Sequence, residues 1–214
     1  MTFEGRDLVC LRGGRIVLTD LCFRVEAGGA LLVTGPNGSG KSSLLRLMAG
    51  LIRPLAGSLL WRGEPVARDR ERFRAECRYL GHQDAVKPAL TVAENLTFSA
   101  RLAGGGGDRI DEALSRFGLD ALADLSARLL SAGQRRRVAL ARLVAAPAPL
   151  WLLDEPTVAL DGDSIRAVEE VVAMHRREGG IAVVSTNAPV DVPGAEPLVL
   201  TPGMAAVGCG ALGA

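Results

Sequence analysis

The chain is predicted to be an α/β protein carrying an all-helical insert. Apolar strand-like runs alternate with amphipathic helical runs at both ends of the chain. Between about Asp84 and Ala146 the strand signal stops and only helical periodicity remains. At 214 residues and 48% hydrophobic content, one chain holds a full core without disulfide or metal staples.

RIVLTDLCFRVEAG, Arg15 to Gly28, alternates and is rich in β-branched residues, so it reads as a strand closed by a Gly28-Gly29 turn. ALLVTG, Ala30 to Gly35, is continuously apolar, as a strand buried on both faces must be. SSLLRLMAGL, Ser42 to Leu51, has helical spacing and stops at Gly50 and Pro54. Short strands follow at Gly57 to Gly63 and at Glu76 to Gln83. TVAENLTFSARLA, Thr91 to Ala103, opens with a Thr cap and places Glu94 where a capping box needs it. Gly104 to Gly107 reads as a loop, Arg109 to Leu119 as a helix, and Gly133 to Val144 as a long basic amphipathic helix. Pro149 to Pro156 returns to buried strand, Asp163 to Gly179 to helix, Ile181 to Asn187 and Glu196 to Gly203 to strand, and a Gly/Ala-rich tail closes the chain.

The formal charge of +1 argues against an electrostatic nucleic-acid binder. Cysteines at 10, 22, 77 and 209 have no CxxC spacing and read as free, buried thiols in a reducing compartment. The first residues are too polar for a signal-peptide core, and no apolar run approaches the roughly 20 residues of a membrane span. Mean hydropathy is nevertheless positive. Heavy Ala, Val and Leu usage explains that, and so does an apolar surface for a partner; both readings stay open.

GPNGSGKS, Gly35 to Ser42, matches G-x-x-x-x-G-K-[ST] at every position and lies between a strand and a helix. Glycines let successive N–H groups turn inward onto phosphate oxygens, and the following helix adds its positive end. Gly35, Pro36, Asn37, Gly38, Ser39, Gly40, Lys41, Ser42 and Ser43 are therefore candidate ATP contacts, with Lys41 on the β- and γ-phosphates and the Ser42 hydroxyl on Mg²⁺. Lysine occurs only at Lys41 and Lys87, so one of two falls at the demanded position. WLLDEP, Trp151 to Pro156, adds Asp154 at a strand end for the metal. Glu155 follows on the opposite side by strand alternation, as general base.

Those motifs, with Gln83, LSAGQ (Leu130, Ser131, Ala132, Gly133, Gln134) and ALD ending at Asp161, occur in an order that resembles the ATP-binding subunits of ABC transporters from about residue 3 to 201. The resemblance implies a single ABC ATPase domain with a P-loop NTPase (RecA-like) core sheet and an N-terminal antiparallel β subdomain. The nucleotide-binding core would take residues 1–83 and 147–203, the helical signature subdomain 84–146, and the tail 204–214. It implies that Ser131 to Gln134 cap the ATP of a second copy of the chain, and that Asp161 links the two opposed sites. It also implies that Gln83 touches Mg²⁺ and the attacking water. A plain helix cap stays open for the Ser131–Gln134 pair and for Asp161, and Arg135 to Arg137 read as a solvated helix face.

Two positions depart from the family pattern. Asn187 stands where a histidine is usual after the last catalytic strand; its amide can donate to a γ-phosphate but carries no ionisable proton. Arg12 stands where an aromatic usually stacks on adenine. Wording around the motifs, in Tyr79 to Leu96, Leu130 to Leu143 and Trp151 to Asp161, is similar to the haem-exporter ATPases of bacterial cytochrome c biogenesis. That implies a peripheral protein on the cytoplasmic face of the inner membrane, bound to integral membrane subunits. An ATPase of another exporter, or a soluble regulatory ATPase, remains the alternative.

Overall fold

The computed structural model describes residues 1–201; the proposed tail, Cys209 and the last residues of the expected final strand lie outside the described residues. Strands β1 (Thr2–Arg12) and β2 (Arg15–Glu26) form an antiparallel hairpin. Its turn is Gly13-Gly14, both at positive φ (55 and 76), as a two-residue turn matching strand twist requires. Strand β3 (Ala30–Thr34) leads through the glycine loop into helix α1 (Lys41–Met48). Strands β4 (Ala56–Trp61) and β5 (Glu64–Pro65) return to the first sheet, whose order is β2-β1-β4-β5.

Helix α2 (Arg70–Ala75) precedes strand β6 (Cys77–Leu80). The insert follows: α3 (Val92–Leu102), α4 (Ile110–Arg116), two 3₁₀ turns, and α5 (Ala132–Ala145). Then come β7 (Leu150–Asp154), α6 (Gly162–Arg177), β8 (Ile181–Ser185) and β9 (Glu196–Val199). The second sheet is parallel throughout, in the order β6-β7-β8-β3-β9. The α/β class, the antiparallel N-terminal sheet and the helical insert all agree with the sequence.

Period-2 alternation divides the core between two faces of the parallel sheet. Leu31, Val33, Leu150, Leu152, Ile181 and Val183 pack with α1 against the antiparallel sheet. Ala30, Trp151, Leu153, Ala182 and Val184 face the other way, into a second cluster with α5 and α6. Strand β7, which ends in Asp154, is thus buried on both sides, which explains its uninterrupted apolar run. Helix α2 escaped the sequence reading because its six residues, RERFRA, bury one side chain, Phe73, and so show no periodicity. Cys10, Cys22 and Cys77 are buried and not disulfide-bonded, and burial pushes the Cys77 thiol up to about 12.

His175 is buried on α6, stacked on Trp151 with ring centroids 3.9 Å apart and Nε2 3.2 Å from the Ile181 carbonyl. Burial holds its pKa below the ordinary 6.5. Below that value the unfolded chain binds a proton that the native chain refuses, so stability falls as pH drops beneath 6.5 and is flat above it. Thermal melting between pH 5 and 7 should show this slope, and His175→Phe should flatten it. An unchanged slope in the variant would remove His175 as its source.

Candidate ATP-binding and hydrolysis site

The glycine loop is built from backbone that side chains would block. Gly35 has φ 146, and a Cβ there would meet the Leu200 carbonyl at 2.3 Å and Ser39 Oγ at 2.8 Å. Gly40 caps α1 in a left-handed conformation, φ 100, which only glycine adopts readily. The N–H groups that open α1, at Lys41, Ser42 and Ser43, have no partner inside the helix and face an incoming anion. Lys41 is buried, and its Nζ donates to the carbonyls of Gly35 (2.8 Å) and Pro36 (3.2 Å). The ammonium is therefore held over the loop by weak neutral acceptors that a phosphate oxygen outcompetes.

Asp154 ends β7 and is 1% exposed. Its Oδ1 accepts from Ser185 Oγ at 2.7 Å, while the buried Oδ2 has no hydrogen-bond partner. Burial first, and then the Asp154 carboxylate, pushes the nearby Tyr79 phenol above its usual range. A buried carboxylate oxygen without a donor fits Mg²⁺, for which the Ser42 hydroxyl at the start of α1 is the other candidate ligand. That ion takes one or two protein oxygens and completes its shell with phosphate and water. No group of three or more His, Cys, Asp or Glu that could hold a metal ion occurs among the described residues.

Glu155 is placed differently from the expectation. Strand β7 ends at Asp154, and Glu155 has φ 49, a left-handed backbone rare for a side-chain-bearing residue. Strand alternation therefore does not aim its side chain; a backbone kink does. Its N–H donates to the Ser185 carbonyl (3.0 Å) and Oγ (3.2 Å). Its Oε1 accepts from Asn187 Nδ2 at 2.7 Å, and the same amide donates to Asn37 Oδ1 at 2.7 Å. Asn187 thus bridges the candidate base to the phosphate loop.

The remaining expected residues fall in three places. Gln83 is exposed in the loop after β6, three residues beyond the strand end rather than on it. Arg12 is exposed at the hairpin tip, opposite Arg15. Farther along β2, Val17 and Leu18 lie beside Gly40. Ser131 caps α5: its Oγ accepts from Gln134 N (3.2 Å), and its own N–H donates to Gln134 Oε1 (2.8 Å). Asp161 caps α6 through Ser164, a hydrogen bond that holds its carboxyl below the ordinary range. Ser131, Gly133 and Gln134 line a small cavity with Ala159, Leu160 and Asp161. Among the described residues no hydrogen bond joins Ser131–Gln134 to the glycine loop.

The reading of Arg135 to Arg137 as a solvated face is corrected. Arg136 is 4% exposed and spends its guanidinium on the carbonyls of Gly81, Asp154, Glu155 and Pro156 and on Asp84. Arg137 donates to the carbonyls of Phe117 and Gly118 at the end of α4. Three consecutive arginines look solvated in a sequence; only the carbonyl-rich strand end beside α5 makes one of them internal.

The ABC transporter family pattern matches residues 18–158. The chain belongs to the ABC transporter family. It is 57% identical to the "Cytochrome c biogenesis ATP-binding export protein CcmA" of Paramagnetospirillum magneticum, covering 93% of this chain and 94% of that protein. It is 56% identical to the protein of the same name from Rhodospirillum rubrum, covering 92% and 85%. A solved structure titled as the ATP-binding subunit of an ABC transporter superposes with a TM-score of 0.84 at 25% identity, covering 94% of this chain and 86% of that one. As a member of this ABC ATPase family the chain binds nucleotide, and among its described residues no helix is long and apolar enough to cross a membrane.

Asn187 supplies a direct test of the family departure. It contacts the candidate base through a group that does not titrate, so the pH profile of turnover should carry no imidazole limb. Asn187→His should introduce one near the ordinary histidine value of about 6.5. A variant profile superimposable on that of the parent would show that position 187 does not touch the chemistry.

Proposed function

We propose that the chain is the ATP-hydrolysing subunit of a cytochrome c biogenesis export complex. In this reading two copies close on two ATP molecules, and integral membrane subunits perform the haem-handling step. Hydrolysis is carried by one observation: a carboxylate on a backbone kink, Glu155, held 2.7 Å from an amide that also grips the phosphate loop. The branch follows from the two relatives named for cytochrome c biogenesis, aligned over nearly their whole length.

Lys41 exchanges its carbonyl acceptors for the β- and γ-phosphates, and the loop N–H groups hold the remaining charge. Ser42, Gln83 and Asp154 would hold Mg²⁺, which would neutralise charge on the phosphates. Glu155 takes a proton from water as the water oxygen bonds to the γ-phosphorus and the bond to the β-phosphate oxygen breaks. Ser131 and the Gly133 N–H cap the γ-phosphate of the partner's ATP, while Asp161 reports between the sites. Loss of that phosphate removes the shared contacts and the pair opens. Arg12, at the hairpin tip, is the candidate platform for adenine.

Membrane attachment runs through partners, on the cytoplasmic face of the inner membrane. A groove of about 630 Å³ lies where α3 and α5 meet β6. It is lined by Ala85 and Lys87 of the segment after Gln83 and by the exposed Phe98 and Leu102. A cytoplasmic segment of a membrane subunit seated there would press on the loop that carries Gln83. Pulled from its own cells, the tagged chain should bring down haem-pathway membrane proteins, and Phe98→Asp with Leu102→Asp should leave it in the soluble fraction with ATP binding intact. Recovery of a different exporter's subunits, or of ribosomes, would overturn the branch.

A further inference from the structure

Arg136 has a role that neither the motifs nor the resemblance assigns. A guanidinium has five N–H donors, and all five are used here. Nε donates to the Pro156 carbonyl (3.2 Å), Nη1 to the Gly81 carbonyl (3.0 Å) and Asp84 Oδ1 (3.0 Å), and Nη2 to the carbonyls of Asp154 (3.0 Å) and Glu155 (2.7 Å). The acceptors belong to two functional segments. Asp154 to Pro156 carry the candidate metal carboxylate and base, and Gly81 to Asp84 enclose Gln83.

The donor stands on α5, two residues beyond Gln134 and in the same rigid helix as the signature. The carbonyls of Asp154 and Glu155 belong to the two peptide planes that flank the Glu155 Cα. Its left-handed backbone is strained and persists only where neighbours over-determine it. Holding both planes sets the direction of the Glu155 side chain. Farther along α5, Arg142 donates to the carbonyls of Asp84 (2.8 Å) and Ala85 (2.9 Å), so the Gln83 loop is gripped by the same helix at its C-terminal side.

We propose that Arg136 is a positioning residue that ties the attitude of a chain's own signature helix to the aim of that same chain's Glu155 and Gln83. When α5 swings to cap the partner's ATP, the guanidinium carries the movement to the strand end. Each chain's base is then aligned when its own signature is engaged on the other site. This inference rests on the two-copy sandwich described above. It predicts a defect in cis, whereas a role in shaping the signature lid predicts a defect in trans.

Full-length chains carrying two different tags are isolated as mixed dimers, and ATP turnover is compared with a dimer of one wild-type and one Glu155→Gln chain. In the first arrangement one chain carries Arg136→Gln and its partner Glu155→Gln, so the sole working base has lost its own arginine. Here kcat should fall about 10²-fold with KM for ATP changed less than about threefold. In the second, Arg136→Gln and Glu155→Gln share one chain, and turnover should match the reference. The reverse pattern assigns Arg136 to the lid and overturns the proposal. Equal turnover in both arrangements overturns it also. Arg136→Lys keeps charge and bulk but cannot reach five acceptors; it serves if the Gln variant does not fold and should show the same cis pattern with a smaller drop. Failure of the sandwich reading itself is distinct: a mixture of Lys41→Ala and Ser131→Asp chains would then recover no turnover at any ratio.

Discussion

Glu155→Gln should bind ATP as the parent does and lose about two or more orders of magnitude in turnover, the effect of removing a general base. The substitution is nearly isosteric. Its carboxamide oxygen can still accept the Asn187 amide now 2.7 Å away, and the N–H bonds to Ser185 are untouched, so the kinked backbone should persist. In the proposed two-copy sandwich, closure onto ATP would need the loop, Lys41 and the partner's signature, none of which changes. The variant should therefore accumulate as an ATP-bound pair, visible as a doubled mass by size-exclusion chromatography with ATP. Unaltered turnover in a single-turnover assay would remove Glu155 from the chemistry and leave the kink without a purpose.

Mixing two separately dead chains should restore activity. Lys41→Ala strips the loop of its ammonium; alone it should lose nucleotide affinity, and normal binding by it would refute the phosphate-loop assignment. Ser131→Asp keeps a good α5 cap, because aspartate accepts the Gln134 N–H as serine does, but it sets a negative charge against the partner's γ-phosphate. In a mixed pair, the Ser131→Asp chain supplies an intact loop and the Lys41→Ala chain an intact lid, and these two halves form one complete site. Random exchange in an equal mixture should recover about a quarter of wild-type turnover, from half the dimers being mixed and one site working in each. No recovery at any ratio, with both variants folded, would sink the two-copy reading.

Much of this protein was readable as text because its chemistry is local. A phosphate loop needs consecutive residues in one conformation, so Gly35 to Ser42 stand out as a candidate by spacing, and Lys41 by rarity. The capping boxes at Thr91 with Glu94 and at Ser131 with Gln134 are three-residue bonds, and both form. The buried strands β3, β7 and β8 show as continuous apolar runs because helices cover both faces of their sheet.

The rest depends on what lies across space. That Glu155 leaves the strand on a left-handed kink follows from carbonyl and hydroxyl partners at Ser185 and the guanidinium of Arg136, thirty residues after it and nineteen before it. That Asn187 reaches both Glu155 and Asn37 needed the parallel pairing of β7 with β8 and the return of the loop beside them. The middle arginine of an apparent surface run is internal because α5 lies over the end of β7, where the carbonyls of Asp154, Glu155 and Pro156 accept from its guanidinium. Short-range hydrogen bonding and hydrophobic period are written along the chain; the partner of a buried charge is a property of the packed neighbourhood, and only folding supplies it.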